Sequence, residues 1–192
     1  MNKKRLFKIC LFGESCAGKA CIIRSLHGMS FADDNLISNI GINYFIDEAV
    51  INGKKYIFKI IDTAGAERYI SITGSSIIKK ADGFLLVFSV HNRNSLNNIN
   101  YWIENIVNNV DRNKKVLILV GNKIDIKERE VTNEEAINFA KEKNMKYFEI
   151  SAKTGFGIKK FFNEIYQEIV NINININNEL FKMPILSKYF SL

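Results

Sequence analysis

The start of the chain restricts the possible folds more than any other stretch. The apolar run RLFKICLF (5–12) predicts a β-strand that leads directly into the glycine-containing loop GESCAGK (13–19). The segment ACIIRSLHG (20–28) then predicts a helix that ends at Gly28. Apolar runs and amphipathic stretches go on alternating along the chain, which predicts α/β architecture.

Four further apolar runs predict most of the remaining sheet. YFIDEAVI (44–51) and KYIFKIID (55–62) are rich in β-forming residues, and Asn52-Gly53-Lys54 between them is a strong hairpin signal. GFLLVFSV (83–90) and KVLILVGN (115–122) are nearly continuous apolar runs. Runs of that kind suit parallel strands that are covered on both faces.

Two amphipathic segments predict helices with recognisable starts. NSLNNINYWIENIV (94–107) has apolar residues at helical spacing, with Asn94 or Ser95 as the N-cap. VTNEEAINFAKEKN opens with Thr132-x-x-Glu135, which is a capping box. These helices would cover the predicted strands.

The last part of the chain divides into a domain and a tail. KYFEIS (146–151) predicts another strand and GIKKFFNEIYQEIV (157–170) a closing helix, so we expect one domain over residues 1–170. The tail, 171–192, opens with NINININN, for which a helix extension and a disordered linker are both open interpretations.

Composition excludes several classes of protein. The chain has 192 residues, 47% of them hydrophobic, which is enough for a substantial core, but no apolar run is long enough to span a bilayer. The start lacks the apolar core of a signal peptide. The net charge is +7, but the basic residues are scattered, so we interpret them as a solvated surface and expect no nucleic acid. The cysteines lack metal-ligand spacing, so we expect reduced thiols in the cytoplasm.

The loop GESCAGKA (13–20) differs in one residue from the phosphate-binding pattern G-x-x-x-x-G-K-[ST]. Gly13 and Gly18 let the backbone approach an anion, and Lys19 would reach its outer oxygens. The pattern requires a hydroxyl at its last position because that oxygen binds Mg²⁺, and Ala20 has none. The loop therefore predicts a phosphate site with a defective metal position.

Three more polar motifs follow predicted strands. IIDTAG (60–65) places Asp62 where a carboxylate would organise Mg²⁺. In GNKID (121–125), Asp125 could accept hydrogen bonds from N1 and the amine of guanine, while ISAK (150–153) follows another strand. Carboxyl ends of parallel strands meet at the ligand-binding edge of an open α/β sheet, so we expect these motifs to form one site.

In its motifs the chain resembles the small GTPases of the Ras superfamily, over nearly its whole length to about residue 170. FKICLFGESCAGK, IGINYF, DTAG-ER, GNKID and SAK occur in the order and spacing of that family. ISNIGINYF and SLNNINYWIENI are most similar to the Rab branch. The resemblance implies a six-stranded, mostly parallel sheet with helices on both faces, and GTP or GDP with Mg²⁺ as ligands.

The same resemblance assigns roles to individual residues. Phe31 would pack across the guanine, although a core residue at a helix end is the alternative. The phosphates would contact Ser15, Cys16, Ala17, Gly18, Lys19, Ala20 and Gly65. The base would contact Cys21, Phe31, Asn122, Lys123, Asp125, Ser151, Ala152 and Lys153. The metal would be held by Asp62 together with Ser38 or Asn39.

Within the predicted nucleotide site, the departures from the family pattern all concern the metal and the reaction. Ala20 replaces the Ser/Thr ligand of Mg²⁺, Asn39 stands where the family has a Thr that senses the γ-phosphate, and Ala66 replaces the Gln that orients the attacking water. No catalytic residue is assigned. We therefore expect altered Mg²⁺ coordination and weak or absent GTP hydrolysis; the alternative is a pseudo-GTPase that serves as a nucleotide-bound scaffold.

Partners follow from the Rab resemblance. It implies a switch in vesicle trafficking that binds effector or regulator proteins through its switch loops. Tyr44 and Ile61 occupy effector-surface positions where that branch usually has Phe and Trp. No cysteine follows Cys21, so a prenyl anchor is not expected, and membrane association would be peripheral on endomembranes. We expect the apolar end of the tail to fold back or to dock on a partner.

Overall fold

The computed structural model describes residues 6–29, 43–63 and 75–182. The strands are β1 (Leu6–Phe12), β2 (Asn43–Ile51), β3 (Lys54–Asp62), β4 (Gly83–Ser89), β5 (Val116–Asn122) and β6 (Lys146–Glu149). The helices are α1 (Lys19–Leu26), α2 (Ser75–Lys80), α3 (Arg93–Asn97), α4 (Ile99–Val107), α5 (Asn133–Glu142) and α6 (Ile158–Lys182). A short 3-10 helix, Arg112–Lys114, precedes β5.

All six strands form one sheet in the order β2-β3-β1-β4-β5-β6. β2 runs antiparallel to β3, and the other neighbours are parallel. Parallel neighbours must be connected by crossovers, and the helices between the strands supply them. The predicted α/β fold, with a six-stranded, mostly parallel sheet, is confirmed.

Two hydrophobic layers explain why the central strands are almost entirely apolar. Ile9 and Leu11 of β1 belong to the layer that contains α1 and α6, while Cys10 and Phe12 belong to the layer that contains α2, α4 and α5. Every residue of β4 and β5 is buried. Alternate side chains of a strand point to opposite faces, so both layers draw on the same strands.

The hairpin between β2 and β3 has the turn that its sequence predicts. Asn52 and Gly53 have φ values of 50° and 72°, so both adopt the left-handed conformation. Two such residues form a type I′ turn, whose twist matches that of the paired strands. The turn sets a register in which Ile51 pairs with Lys54.

The predicted helix over 94–107 is wrong in two details. It consists of α3 and α4, with Asn98 (ψ −7°) between them. Its N-cap is Asn92, whose side chain accepts a hydrogen bond from the Ser95 amide, rather than Asn94 or Ser95. Ser95 is not available as a cap because its hydroxyl accepts from the Ser89 amide and donates to the Asn92 carbonyl.

The C-terminal part of the described chain is helical. α6 continues through the NINININN segment, so of the two interpretations the helix extension holds as far as Lys182. Asn173 is buried there and donates to the Ile169 carbonyl at 2.8 Å. The division between a domain of 1–170 and a tail stays a prediction. Among the described helices, none is both long and apolar enough to cross a membrane.

Candidate nucleotide site

The loop after β1 passes so close to β4 that only glycine fits at its first position. Gly13 has φ +143°, and a Cβ there would lie 2.0 Å from the Val87 carbonyl oxygen. A side chain at this point would push the loop away from the sheet. The backbone of residues 13–18 is therefore held directly over the carboxyl end of the parallel strands.

Gly18 has a similar role at the start of α1. It is the N-cap, with φ +93°, and a Cβ on it would lie 2.3 Å from Nδ2 of Asn122. The same Cβ position is 4.0 Å from Cε of Lys123. The loop thus lies directly against the motif that follows β5.

The Lys19 side chain lies inside the loop and binds its backbone. It is buried, and Nζ donates to the carbonyls of Gly13 (2.6 Å) and Glu14 (2.8 Å). The first turn of α1 contains no acidic residue. A buried ammonium and the positive end of a helix both favour an anion at this place, and phosphate is the anion that such loops bind.

Asn122 joins three loops at one point. Its Nδ2 donates to the Ala17 carbonyl at 2.9 Å, and its Oδ1 accepts from the Ala152 amide at 3.0 Å. The side chain is 1% exposed, so both bonds are shielded from water. Since Ala17 belongs to the phosphate loop and Ala152 to the loop after β6, the glycine loop, GNKID and ISAK form one site.

Asp125 and Ser151 are also in contact. The Ser151 hydroxyl donates to Oδ1 of Asp125 at 2.6 Å and accepts from the Thr154 amide at 3.1 Å. Ser151 is buried and Asp125 is exposed, so a fixed hydroxyl orients a carboxylate that a ligand can reach. A carboxylate in this position can accept two N–H donors from one edge of a purine.

The metal side of the site holds one carboxylate. Asp62 is 2% exposed at the end of β3, opposite Leu11 of β1. Burial raises the pKa of the Cys21 thiol, and Lys123 and Asp62 lie close enough to influence that pKa in opposite directions. Cys21 therefore lies near both the residue predicted for the metal and a residue predicted for the base.

The fit to Mg²⁺ is incomplete among the described residues. The side chain of Ala20 offers no oxygen, and within residues 6–29, 43–63 and 75–182 no group of three or more His, Cys, Asp or Glu side chains could hold a metal. Asp62 is the predicted ligand that the structure describes. The remaining predicted site residues lie outside the described residues: Ser38 and Asn39 for the metal, Gly65 for the phosphates, Phe31 for the base and Ala66 at the position of the catalytic Gln.

Sequence reasoning missed a cluster that supports the base-reading loops. Arg129 contacts both carboxylate oxygens of Glu149, at 2.5 and 3.3 Å, and Tyr147 donates to the same carboxylate at 2.7 Å. A Cβ on Gly121, the residue before Asn122, would lie 2.5 Å from the Tyr147 hydroxyl. Nothing in the sequence signals this cluster, because Arg129 and Glu149 are 20 residues apart.

The contacts within this cluster determine the charge states of its residues. The hydrogen bond to Glu149 raises the pKa of Arg129. Burial opposes ionisation of Glu149, but hydrogen bonds from Arg129, Asn133 and Tyr147 outweigh it and lower the pKa of that carboxyl. Burial and the contact with Glu149 raise the pKa of Tyr147. At neutral pH the cluster is therefore an ion pair with a neutral phenol.

A glycine-containing strand–loop–helix unit with a buried lysine, beside a carboxylate oriented by a serine hydroxyl on the same edge of a parallel sheet, is the arrangement of a P-loop GTPase domain. The family model for the Ras family matches residues 8–171, and the chain belongs to that family. This agrees with the resemblance seen in the motifs.

The most similar relatives found include Rab proteins. Ras-related protein Rab-13 from Mesocricetus auratus is 36% identical over 170 residues, which cover 86% of this chain and 80% of that protein. Ras-related protein Rab-18 from Lymnaea stagnalis is 33% identical over 163 residues, covering 85% and 80%. Ras-related protein Rab-18-B from Danio rerio is 34% identical over 163 residues, covering 85% and 78%. The chain is thus a Rab-like small GTPase.

Proposed function

We propose that this chain is a Rab-like guanine-nucleotide switch that binds GDP and GTP but hydrolyses GTP slowly or not at all. The observation that carries the proposal is the pair of buried hydrogen bonds made by Asn122. They join the phosphate loop to the loop after β6, and the residues for the base and the phosphates are present on both sides. Within the candidate nucleotide site, only the metal and catalytic positions depart from the family pattern.

Binding rests on residues of this chain. Lys19 and the backbone of the glycine loop would hold the phosphates, and Asp125, oriented by Ser151, would accept the N–H groups of guanine. Loss of one metal ligand at Ala20 weakens affinity by about 1–3 kcal/mol, or roughly 5–150-fold. Small GTPases bind nucleotide tightly enough for useful affinity to remain.

Hydrolysis is affected more strongly than binding. When bound, Mg²⁺ would neutralise charge on the β- and γ-phosphates. Even with its Gln, Ras hydrolyses GTP at only about 3–5 × 10⁻⁴ s⁻¹ unaided. Ala20 removes a ligand of that ion, and Ala66 cannot orient the attacking water. We therefore expect hydrolysis below the Ras rate.

The biological setting is proposed from the Rab relatives. The switch would act in vesicle trafficking, through effector or regulator proteins that bind its switch loops, and peripherally on endomembranes. A pseudo-GTPase used as a nucleotide-bound scaffold is the second candidate, and the combination of Ala20 with Ala66 favours it. A switch must bind partners differently with GDP and GTP, whereas a scaffold binds them equally.

The test has two steps. Nucleotide released from the purified, heat-denatured protein should be guanine nucleotide, and the refilled protein should show single-turnover GTP hydrolysis slower than Ras. Ala20→Ser should increase the Mg²⁺ dependence of nucleotide retention, and Ala20→Ser with Ala66→Gln should raise the rate of hydrolysis. A protein that neither carries nor accepts guanine nucleotide would refute binding, and Ras-like rates in the unchanged chain would refute the impairment.

A further inference from the structure

A polar cavity of about 350 Å³ lies against the phosphate loop. It is lined by Ser15 and Cys16 of that loop, by Ser89 and the start of α3, and by Lys123 and Glu130. Lys19, Asp62, Asp125 and Ser151 are not among the described residues that line it. Ser15, Cys16, Ala17 and Lys123 do line it and are also predicted nucleotide contacts, so the cavity adjoins the candidate nucleotide site and shares these residues with it.

An unsatisfied hydroxyl faces this cavity. Ser89 is 3% exposed, and its Oγ has no hydrogen-bond partner among the described residues. Leu85 and Val87 point to the layer that contains Ala17 of the phosphate loop, and Ser89, two residues further along β4, points the same way. A buried hydroxyl without a partner destabilises the fold, so a polar ligand group in the cavity would relieve that penalty.

The cavity also presents charges of both signs. Lys123 and His91 line it as basic residues, and Glu130 lines it as an acid. The Glu130 carboxylate is held in place, because its Oε2 accepts from the Arg93 amide at 2.8 Å. An ammonium and a carboxylate in one cavity are complementary to the zwitterionic end of an amino acid or small peptide.

Cys16 gives this cavity a reactive group. Its side chain is exposed, whereas Cys10 is fully buried, and burial raises the pKa of the Cys10 thiol to about 12. Cys21 is half-buried, and burial raises its pKa as well. Thiol–disulfide exchange requires an accessible thiolate, so Cys16 is the most reactive of the three.

We propose that Cys16 is a modification site for a small zwitterionic peptide disulfide of the glutathione type, with the zwitterionic end of the attached peptide bound in the cavity. The Cys16 thiol loses its proton to solvent, and its sulfur attacks one sulfur of the peptide disulfide. A Cys16–peptide disulfide forms as the original S–S bond breaks, and the second peptide leaves as a thiolate. Cys16 is oxidised and the departing peptide sulfur is reduced, so no further oxidant is needed.

The test uses the full chain as purified, with its nucleotide. It is incubated with oxidised glutathione or with 2-hydroxyethyl disulfide, which has no charged end, and adducts are measured by intact mass and peptide mapping. Glutathione should attach at Cys16 and should react there faster than the neutral disulfide. Cys16→Ser should abolish the adduct, and Cys21→Ser should preserve it.

The cavity is tested by Ser89→Ala, with Ser25→Ala as a matched serine control. Ser89→Ala should lower the preference for glutathione about fivefold, the fold-change that one hydrogen bond provides, and Ser25→Ala should not change it. Glu130→Gln, at an exposed position, should also lower the preference for glutathione over the neutral disulfide. This variant replaces Ser89→Ala in the test if Ser89→Ala fails to fold. Modification of Cys21 instead, equal rates for the two disulfides, or a preference that survives both cavity variants would overturn the proposal.

Discussion

Substitutions of Gly18 and Gly28 can distinguish two effects: loss of the close contact with Asn122 and strain in the backbone. Both have φ in the left-handed region, +93° and +70°, and they flank the same helix. A Cβ on Gly18 would collide with Nδ2 of Asn122, but a Cβ on Gly28 meets nothing within 4 Å. A substitution at either residue therefore strains the backbone, but only a substitution at Gly18 also collides with Asn122.

Gly18→Ala should abolish tight retention of guanine nucleotide, because it displaces Asn122 from the Ala17 carbonyl. Gly28→Ala should retain nucleotide and lose only about 1 kcal/mol of unfolding free energy. Nucleotide content and urea unfolding would be measured for both variants. Equal behaviour would show that the contact with Asn122 does not matter.

For individual residues, the sequence predicts the chemistry of the site but not its contacts. Asn122, Asp125 and Ser151 stood out because each follows an apolar strand. That Ser151 donates to Asp125, or that Asn122 joins two other loops, depends on the packing of distant segments and has no local signal. The roles of Phe31, Ser38, Asn39, Gly65 and Ala66 stay predictions, because they lie outside the described residues.

At the scale of elements, the Arg129–Glu149 pair connects the segment after β5 to β6. The pair is about three-quarters buried, with side-chain exposures of 28% and 20%. Solvent screens it less than the exposed pair of Lys146 with Glu168, in which Lys146 is 62% exposed. Because Tyr147 packs against Gly121, the cluster supports the start of the GNKID motif.

Glu149→Gln should lower the unfolding free energy by about 1 kcal/mol at pH 7 and speed GDP release, whereas Glu168→Gln should do neither. The pKa of Glu149 is lowered in the folded state, so its contribution is complete above the ordinary glutamate pKa and is lost as the pH falls through the lowered value. Urea unfolding at pH 7 and pH 3 would measure this. A difference in unfolding free energy between wild type and Glu149→Gln that is as large at pH 3 as at pH 7 would contradict it.

The elements themselves were more predictable than their ends. Alternating and continuous apolar runs locate all six strands. A strand buried on one face alternates apolar and polar residues, and a strand buried on both faces is continuously apolar. The cap of α3 was missed because Asn92, Asn94 and Ser95 are all good cap residues within four positions. The contact of Ser95 with the backbone of Ser89 decides between them, and it is tertiary.

At the scale of the whole molecule, one hydrogen bond ties the last helix to the edge strand. The Tyr166 hydroxyl of α6 donates to Oδ2 of Asp47 in β2 at 2.7 Å, across 119 residues of sequence. The Tyr166 ring stacks on Phe58 of β3, with 4.0 Å between ring centroids. α6 is thus fixed to the part of the sheet that is furthest from β5 and β6.

Tyr166→Phe should lower the unfolding free energy by about 1 kcal/mol, since it removes the hydrogen bond and keeps the stacked ring. Tyr56→Phe is the matched control: its ring packs on Phe7, and its hydroxyl has no hydrogen-bond partner among the described residues. Urea unfolding would compare them. An equal loss in both variants would mean that the bond to Asp47 contributes nothing.

The architecture of the whole molecule follows from the order of its elements, because parallel strands need crossovers and a hairpin needs a short turn. Links such as Tyr166–Asp47 depend on where two distant surfaces meet, and the sequence alone does not determine that. The extent of α6 also escaped prediction, because the alternation in NINININN suggests a strand when it is considered without its neighbours.

The length of α6 sets the geometry of anything joined beyond it. Its 25 residues measure about 37 Å, and roughly 18 Å of that lies past residue 170. A helix is rigid, so it fixes the direction as well as the distance of whatever is attached to its end. A molecule bound at the C-terminal end of α6 would therefore be held at one angle relative to the sheet.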